Sequence, residues 1–305
     1  MRHKSAVCVG VSVAILATFS GDTFADAHAV DTRSLRSGQP PPERTIPMFT
    51  GTQFPFNGAK VGVGVIPTIT FSRAIPEATR KSVIGNLAVT SSPKRVAGSW
   101  RWLDDRNVAY RPKKLFWPGR TTVTVTANLT KVNIPGLTVG WWGAADLSAT
   151  WKTKRATVVR INSARHSGTL TIGRNVVRKF GVSTGKKHFI TRSGIKTITE
   201  KIRKTRMTNI GITEDEAYDL EVPYAMRVTY SGEFLHGAPW NSRIGIENRT
   251  HGCINLRVRD AKVIFRRVTW GDPVITTGTK RPMEPDNGPG ARWNIRYRQW
   301  ANTPV

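Results

Sequence analysis

Proline and glycine cut this chain into short segments, and where the segments between them have a period it is most often two residues. Thr121 to Thr126 alternates Thr with Val, the signature of a half-exposed strand. Val61-Gly62-Val63-Gly64-Val65 alternates as well. Trp100-Arg101-Trp102 and Asn107 to Tyr110 flank Asp104-Asp105-Arg106, which has the composition of a hairpin turn. Phe116-Trp117-Pro118-Gly119 is a second turn signal. A chain punctuated in this way buries its apolar positions by stacking small sheets, not by packing long helices.

The stretch 46–151 is therefore expected to be an immunoglobulin-like β-sandwich, without an inter-sheet disulfide because it holds no Cys pair. Trp100, Trp102, Phe116 and Trp117 are read as core and rim packing in preference to a sugar platform. The character changes around Trp151. Ala156 to Ile161, Thr169 to Ile172, Val176 to Val182 and Ala225 to Tyr230 read as strands. From Arg259 to Val268, the apolar residues Ala261, Ile264, Phe265 and Val268 follow helical spacing. Asp260 near its start and Arg266-Arg267 near its end match the helix macrodipole. Gly271-Asp272-Pro273 stops it, and Val274-Ile275 opens a last strand. The fold class is mainly β: a sandwich, then a second β-rich domain at 152–276 with one main helix. A tail at 277–305 carries Trp293, Tyr297 and Trp300, spaced to dock on one face of that second domain.

The chain opens on Arg2-His3-Lys4, an apolar run from Ala6 to Phe19, and Ala25-Asp26-Ala27. Residues 1–29 thus have the form of a secretory signal peptide with an A-x-A cleavage site, the alternative being an uncleaved anchor. Residues 30–45, with Ser34, Ser37, Gly38 and Pro40-Pro41-Pro42, read as a linker. The expected location is outside the cytoplasmic membrane, in the cell wall or periplasmic space. Only Cys8 and Cys253 are present, so cleavage would leave one thiol. Exported proteins use cysteine mainly in pairs, and a lone thiol there is either reactive or accidental. The net charge of +27, from 47 basic and 20 acidic residues, calls for an anionic partner. An exported chain without an RNA- or DNA-binding motif points away from nucleic acid and toward a membrane surface or an acidic wall polymer.

The neighbours of Cys253 decide between the two readings of that thiol. They are Phe234-Leu235-His236-Gly237-Ala238-Pro239-Trp240 and then Thr250-His251-Gly252-Cys253-Ile254-Asn255. A thiol is nucleophilic as thiolate, and an imidazole can take its proton. His251 is tied to the same local backbone as Cys253, whereas His236 precedes it by seventeen residues, enough for an excursion that returns beside it. His236 is taken as the base. A turn at Gly252 would leave the N–H groups of Gly252 and Cys253 facing an oxyanion, with Asn255 as a further donor to substrate. The competing reading makes Cys253 a core residue and His251 a turn histidine, and it must then account for two histidines and a glycine around an unpaired exported thiol. One Cys and two His fall short of a zinc set. A papain-like order, with Cys early and His far downstream, is reversed here.

The pattern His-Gly, a spacer, then Thr-His-Gly-Cys-Ile-Asn resembles the signature of the L,D-transpeptidases. Tyr230-Ser231-Gly232, Ala238-Pro239-Trp240, Trp293-Asn294-Ile295 and Gln299-Trp300 resemble its actinobacterial branch, in which an immunoglobulin-like domain precedes the catalytic one. Trp102-Leu103, Arg111-Pro112 and Trp117-Pro118-Gly119 are similar to the pattern of that first domain. The resemblance makes 152–276 an L,D-transpeptidase catalytic domain. It implies Cys253 as nucleophile and His236 as general base. It puts His251, Gly252 and Asn255 around the acyl site, with Tyr218, Met207 and Trp240 on the substrate pocket. Gly237 stands where close relatives often carry Ser, so its backbone carbonyl would have to orient His236.

The reaction so implied is acyl transfer between peptidoglycan stem peptides. Cys253 attacks the carbonyl of the L-centre of diaminopimelate, the terminal D-Ala leaves, and the amine of a second stem resolves the thioester as a 3→3 crosslink. No metal or organic cofactor is called for, and a β-lactam of the carbapenem class is expected to form an adduct at Cys253. Hydrolysis of the thioester would instead make the enzyme an L,D-carboxypeptidase. A non-catalytic wall-binding protein is the reading from another class. Two charge features are left over. Glu214-Asp215-Glu216 with Asp219 and Glu221 form either a lid that attracts an incoming ammonium group or a loop that offsets neighbouring Lys and Arg. From Lys152 to Arg206 there are 16 Lys and Arg against one acid, Glu200, expected to face solvent and hold the chain on anionic polymer.

Overall fold

The Thr–Val alternation becomes the strand Thr122–Ala127 of the computed structural model, in which residues 9–10, 48–135, 140–209 and 217–302 are described. Val123 and Val125 are buried, while on the opposite face Thr124 exchanges a hydroxyl hydrogen bond of 2.8 Å with Thr150. That strand lies between Leu147–Thr153 and Leu87–Ser92, and Lys60–Val61 closes the sheet. The facing sheet runs Gly51–Phe54, Thr68–Phe71, Asn107–Pro112, Gly98–Trp102. The predicted hairpin is its last pair: Asp104 Oδ1 accepts from the backbone N–H groups of Arg106 and Asn107 at 2.8 Å. Trp102, Trp117 and Trp151 fill the space between the sheets with Ile69, Phe71 and Val108. Burying an aliphatic or phenyl side chain there contributes about 1.5–3 kcal/mol. Trp117 satisfies its indole N–H on the Val65 carbonyl at 2.9 Å, whereas the buried indole N–H groups of Trp102 and Trp151 have no hydrogen-bond partner among the described residues. A helix at Glu77–Gly85 has no counterpart in the sequence reading; only Thr79 and Val83 are buried on it, too few to show a period.

Two five-stranded sheets make the second domain. One has the order Asn175–Gly181, Ser167–Ile172, Thr157–Asn162, Pro273–Thr277, Gly194–Thr197. In the other, Glu200–Thr208, Asp219–Arg227, Phe234–Gly237 and Ile254–Leu256 follow one another, with the pair Val9–Gly10 against Thr208 and Met207 at the edge. Val159, Ile161, Leu170 and Val274 of the first sheet share a core with Met226, Leu235, Ile254 and Leu256 of the second. The helix Val258–Arg267 adds Ala261 and Ile264 to it. Asp260 does more than meet the helix dipole. It is buried, and its carboxylate accepts from Arg178 Nε at 2.8 Å, which turns inward an arginine expected in solvent. Lys196 is also fully buried and Arg192 nearly so, so the basic stretch 152–206 is only in part a solvated face.

The alternation from Val61 to Val65 marks a joint between the domains; only Lys60–Val61 is strand. Gly62 N–H donates to Trp270 O at 2.7 Å and Gly64 N–H to Gly271 O at 2.9 Å. A Cβ on Gly62 would lie 2.1 Å from the backbone nitrogen of Asp272, so no larger residue fits. The tail, expected on the catalytic domain, packs there and also reaches the first domain. Its turn Pro289–Asn294 packs on Gly194–Thr197, and its helix Tyr297–Ala301 on Gly98–Trp102. Trp293 and Trp300 donate to the carbonyls of Gly64 and Ser99 at 2.6 and 2.9 Å. The expected linker, the expected leader apart from Val9–Gly10, and the acids Glu214, Asp215 and Glu216 lie outside the described residues.

Candidate active site

His236 and Cys253 are brought together by strand register. Phe234–Gly237 pairs in parallel with Ile254–Leu256, which sets His236 level with Asn255. Cys253 lies two residues before Asn255, and the two-residue period of an extended chain returns it to the His236 face. Both side chains are buried, at 4% and 7% exposure, and both line one open cavity of about 300 Å³. Asn255, His251 and Trp240 border the same cavity, with Met207 on Glu200–Thr208 of the same sheet and Tyr218 just before the strand Asp219–Arg227. Seven of the nine residues singled out in the sequence thus meet at one place.

The other two, Gly237 and Gly252, act through the backbone. Nδ1 of His236 lies 2.9 Å from the Gly237 carbonyl oxygen. A carbonyl only accepts, so Nδ1 carries the proton and Nε2 keeps its lone pair. Burial, opposed by that hydrogen bond, pushes the imidazole pKa down to about 4, so the ring is neutral at neutral pH. A Cβ on Gly237 would meet Pro223 Cγ at 3.0 Å and Val258 Cα at 3.3 Å. A serine there would press on the neighbouring strand and helix.

Gly252 has φ of +121°, a backbone region that L side chains rarely adopt. The Gly252 N–H is bent back onto the Thr250 hydroxyl at 3.1 Å, and that hydroxyl in turn donates to the Cys253 carbonyl at 2.6 Å. The Gly252 carbonyl is held by Thr191 Oγ1 at 2.8 Å, a contact across 61 residues that no local pattern announces. Cys253 Sγ sits 3.8 Å from the Gly232 carbonyl. His251 is set between rings, with centroids 4.6 Å from Phe189 and 5.1 Å from Tyr218.

Arg243 and Arg249 also line the cavity, and the sequence reading passed over both. Each pairs with Glu247, at 3.2 and 2.9 Å. Two of the acids considered for a lid have their charge offset: Asp219 accepts from Arg206 Nε at 2.5 Å, and Glu221 pairs with Lys204 at 2.6 Å. For these two the offsetting reading holds, since each faces its cation across one strand pair. Glu233 is the site's least visible member. It is the single acid between Glu221 and Glu247, three residues before His236, and that isolation is the only signal that could have drawn attention to it.

A mainly β catalytic domain preceded by a bacterial immunoglobulin domain is the class this fold and site define. Residues 156–276 match the model of the L,D-transpeptidase catalytic domain, and residues 40–133 that of a bacterial Ig domain. The chain belongs to the L,D-transpeptidase family. It is 30% identical over 251 residues to L,D-transpeptidase 1 of Mycobacterium tuberculosis, covering 80% of this chain and 91% of that protein. It is 30% identical over 254 residues to L,D-transpeptidase 5 of the same organism, covering 81% of this chain but only 54% of that longer protein. The structure of LD transpeptidase LdtMt1 in complex with imipenem superposes with a TM-score of 0.63 at 28% identity, covering 76% of this chain and 100% of that one.

Proposed function

We propose that this chain is an exported cysteine-dependent acyltransferase that forms 3→3 crosslinks in peptidoglycan. The observation that carries the reading is the His236–Asn255 register, which puts a neutral imidazole and the Cys253 thiol on one face of one cavity. His236 Nε2 takes the thiol proton as Sγ adds to the L-centre carbonyl of a donor tetrapeptide stem. The tetrahedral adduct collapses, D-Ala leaves with the proton from His236, and a thioester remains. The side-chain amine of an acceptor stem then attacks, gives a proton to His236, and expels the thiolate. A ring with a pKa near 4 is a weak resting base but is always in its accepting form at neutral pH. Arg243 and Arg249 at the cavity suit the carboxylates of stem peptides.

A β-lactam would acylate the same thiol, in keeping with the imipenem complex of a relative. The leader-like first 29 residues support a location in the wall or periplasmic space, and the basic composition suits anionic wall polymer. The deciding experiment incubates the purified chain with a disaccharide-tetrapeptide and reads the products by mass. Dimer with release of D-Ala supports the transpeptidase; tripeptide with D-Ala and no dimer would make it the carboxypeptidase; no D-Ala at all would refute the acyl-transfer reading.

A further inference from the structure

The Cys253 loop is gripped from two sides by segments distant in sequence. On one side Thr191 Oγ1 holds the Gly252 carbonyl at 2.8 Å; on the other the Gly232 carbonyl faces Cys253 Sγ at 3.8 Å. Glu233 joins the two segments. Its Oε1 accepts from the backbone N–H and from Nη1 of Arg192, both at 3.0 Å, and its Oε2 from Lys196 Nζ at 2.5 Å. Arg192 Nε is in turn engaged by Glu284. The Glu233 stem runs directly behind the loop, with Cγ 4.0 Å from where a Cβ of Gly252 would stand.

All three central charges are out of water: Lys196 is 0% exposed, Glu233 4% and Arg192 7%. Buried ion pairs are poor stability devices, because desolvation consumes what attraction returns, and an apolar pair of similar volume commonly does as well. Three buried charges packed behind a nucleophile therefore call for a role beyond holding the fold.

We propose that Glu233, gripped by Arg192 and Lys196, is a positioning residue that clamps the Thr191 and Gly232 segments around Gly252–Cys253 and so sets where the Cys253 thiol stands. The inference rests on Cys253 being the nucleophile. Burial pushes Lys196 toward the neutral form, and Glu233 chiefly opposes this.

The test replaces the buried pair by an apolar one, Lys196→Met with Glu233→Leu, in the full chain. Thermal unfolding, the pH profile of Cys253 alkylation by iodoacetamide, and the rate of acylation by imipenem are measured. The expected result is a folded variant whose alkylation profile is displaced by about one pH unit or more, with acylation slowed about tenfold or more. A folded variant with the wild-type midpoint and acylation rate overturns the proposal, even if its unfolding temperature has changed. Should the double variant not fold, Glu233→Asp decides, since it keeps all the charges but withdraws the carboxylate by one methylene. It should lower kcat with KM little changed and move the alkylation profile the same way; wild-type behaviour overturns the proposal. A wild-type chain that is alkylated at Cys253 but never acylated would sink the transpeptidase reading and leave the alkylation profile to judge the clamp.

Discussion

His236 points its Nδ1 at the carbonyl oxygen of Gly237, the next residue in the chain, at 2.9 Å. This contact fixes the tautomer without any side chain to do so. It also couples the base to a position where a Cβ would press on Pro223. With its pKa pushed down to about 4, His236 stays an acceptor well below neutral pH. Acylation by imipenem should hold its rate to roughly pH 5 and fall near pH 4, not near the ordinary imidazole value. The sign for stability follows. The unfolded chain takes up this proton near 6.5, so the His236 contribution is complete above that pH and is lost as pH falls toward 4, by about 3 kcal/mol. A rate profile with its acid limb near 6.5 would show the ring to be solvated. His236→Ala should slow acylation by about 100-fold.

Cys253 is small, and its side chain packs with Met207, Val222 and Phe234 in a modest buried cluster. Cys253→Ala should unfold within about 1 kcal/mol of the parent chain and give no imipenem adduct by intact mass. An adduct that survives the substitution would move the nucleophile elsewhere.

Gly252 has space for a methyl group, the nearest atoms to a Cβ being Phe189 O at 3.7 Å and Glu233 Cγ at 4.0 Å. Its requirement is the backbone φ of +121°. Gly252→Ala should therefore cost about 1–3 kcal/mol through strain and not through overlap. The strain should shift the loop, so that acylation falls further than the loss of stability alone explains. Full acylation in a folded Gly252→Ala chain would mean that the turn is not needed for chemistry.

Asp272 lies at the joint between the domains, beside Gly62, and its Oδ1 has no hydrogen-bond partner while Oδ2 accepts from Thr269 N–H at 2.7 Å. Burial raises its pKa to about 7 against backbone hydrogen bonding and the more distant Lys154 and Lys201. The folded state thus holds a proton that the unfolded state releases near 3.8, so stability is complete below about 4 and is lost as pH rises through 7. Asp272→Asn should raise the unfolding temperature at pH 8 and change it little at pH 4. Equal shifts at both would contradict the assignment.

Arg120, Arg155 and Arg174 line a cleft on the seam between the domains, and among the described residues none is ion-paired. Lys204 and Arg206, by contrast, are paired with Glu221 and Asp219. Reversing Arg155 and Arg174 to Glu should weaken binding to isolated cell wall more than reversing Lys204 and Arg206. Wild-type binding should fall steeply with salt, since exposed charges are screened over about 10 Å at 0.1 M. Binding that ignores both salt and the reversals would remove the electrostatic anchor.

The sequence by itself determined the β class, the break near Trp151, the helix that ends before Gly271 and the candidate catalytic cluster. Each of these is written in local patterns: alternation for Thr122–Ala127, helical spacing for Val258–Arg267, and a compact run of chemically distinctive residues from Thr250 to Asn255. Only the tertiary structure decided what depends on contacts between distant residues. The Val61–Val65 alternation is a domain joint because Gly62 and Gly64 meet Trp270 and Gly271, more than 200 residues away in the chain. The Gly252 N–H meets the Thr250 hydroxyl, and the Gly252 carbonyl meets Thr191 from 61 residues upstream, contacts that no residue type announces. Lys196 and Arg192 counted as surface charge in the sequence, since composition shows how many cations a segment has and not which of them meet a buried carboxylate. It takes the fold to bring Glu233 from 37 residues downstream to Lys196, and so to turn part of a basic face into a buried cluster behind Gly252.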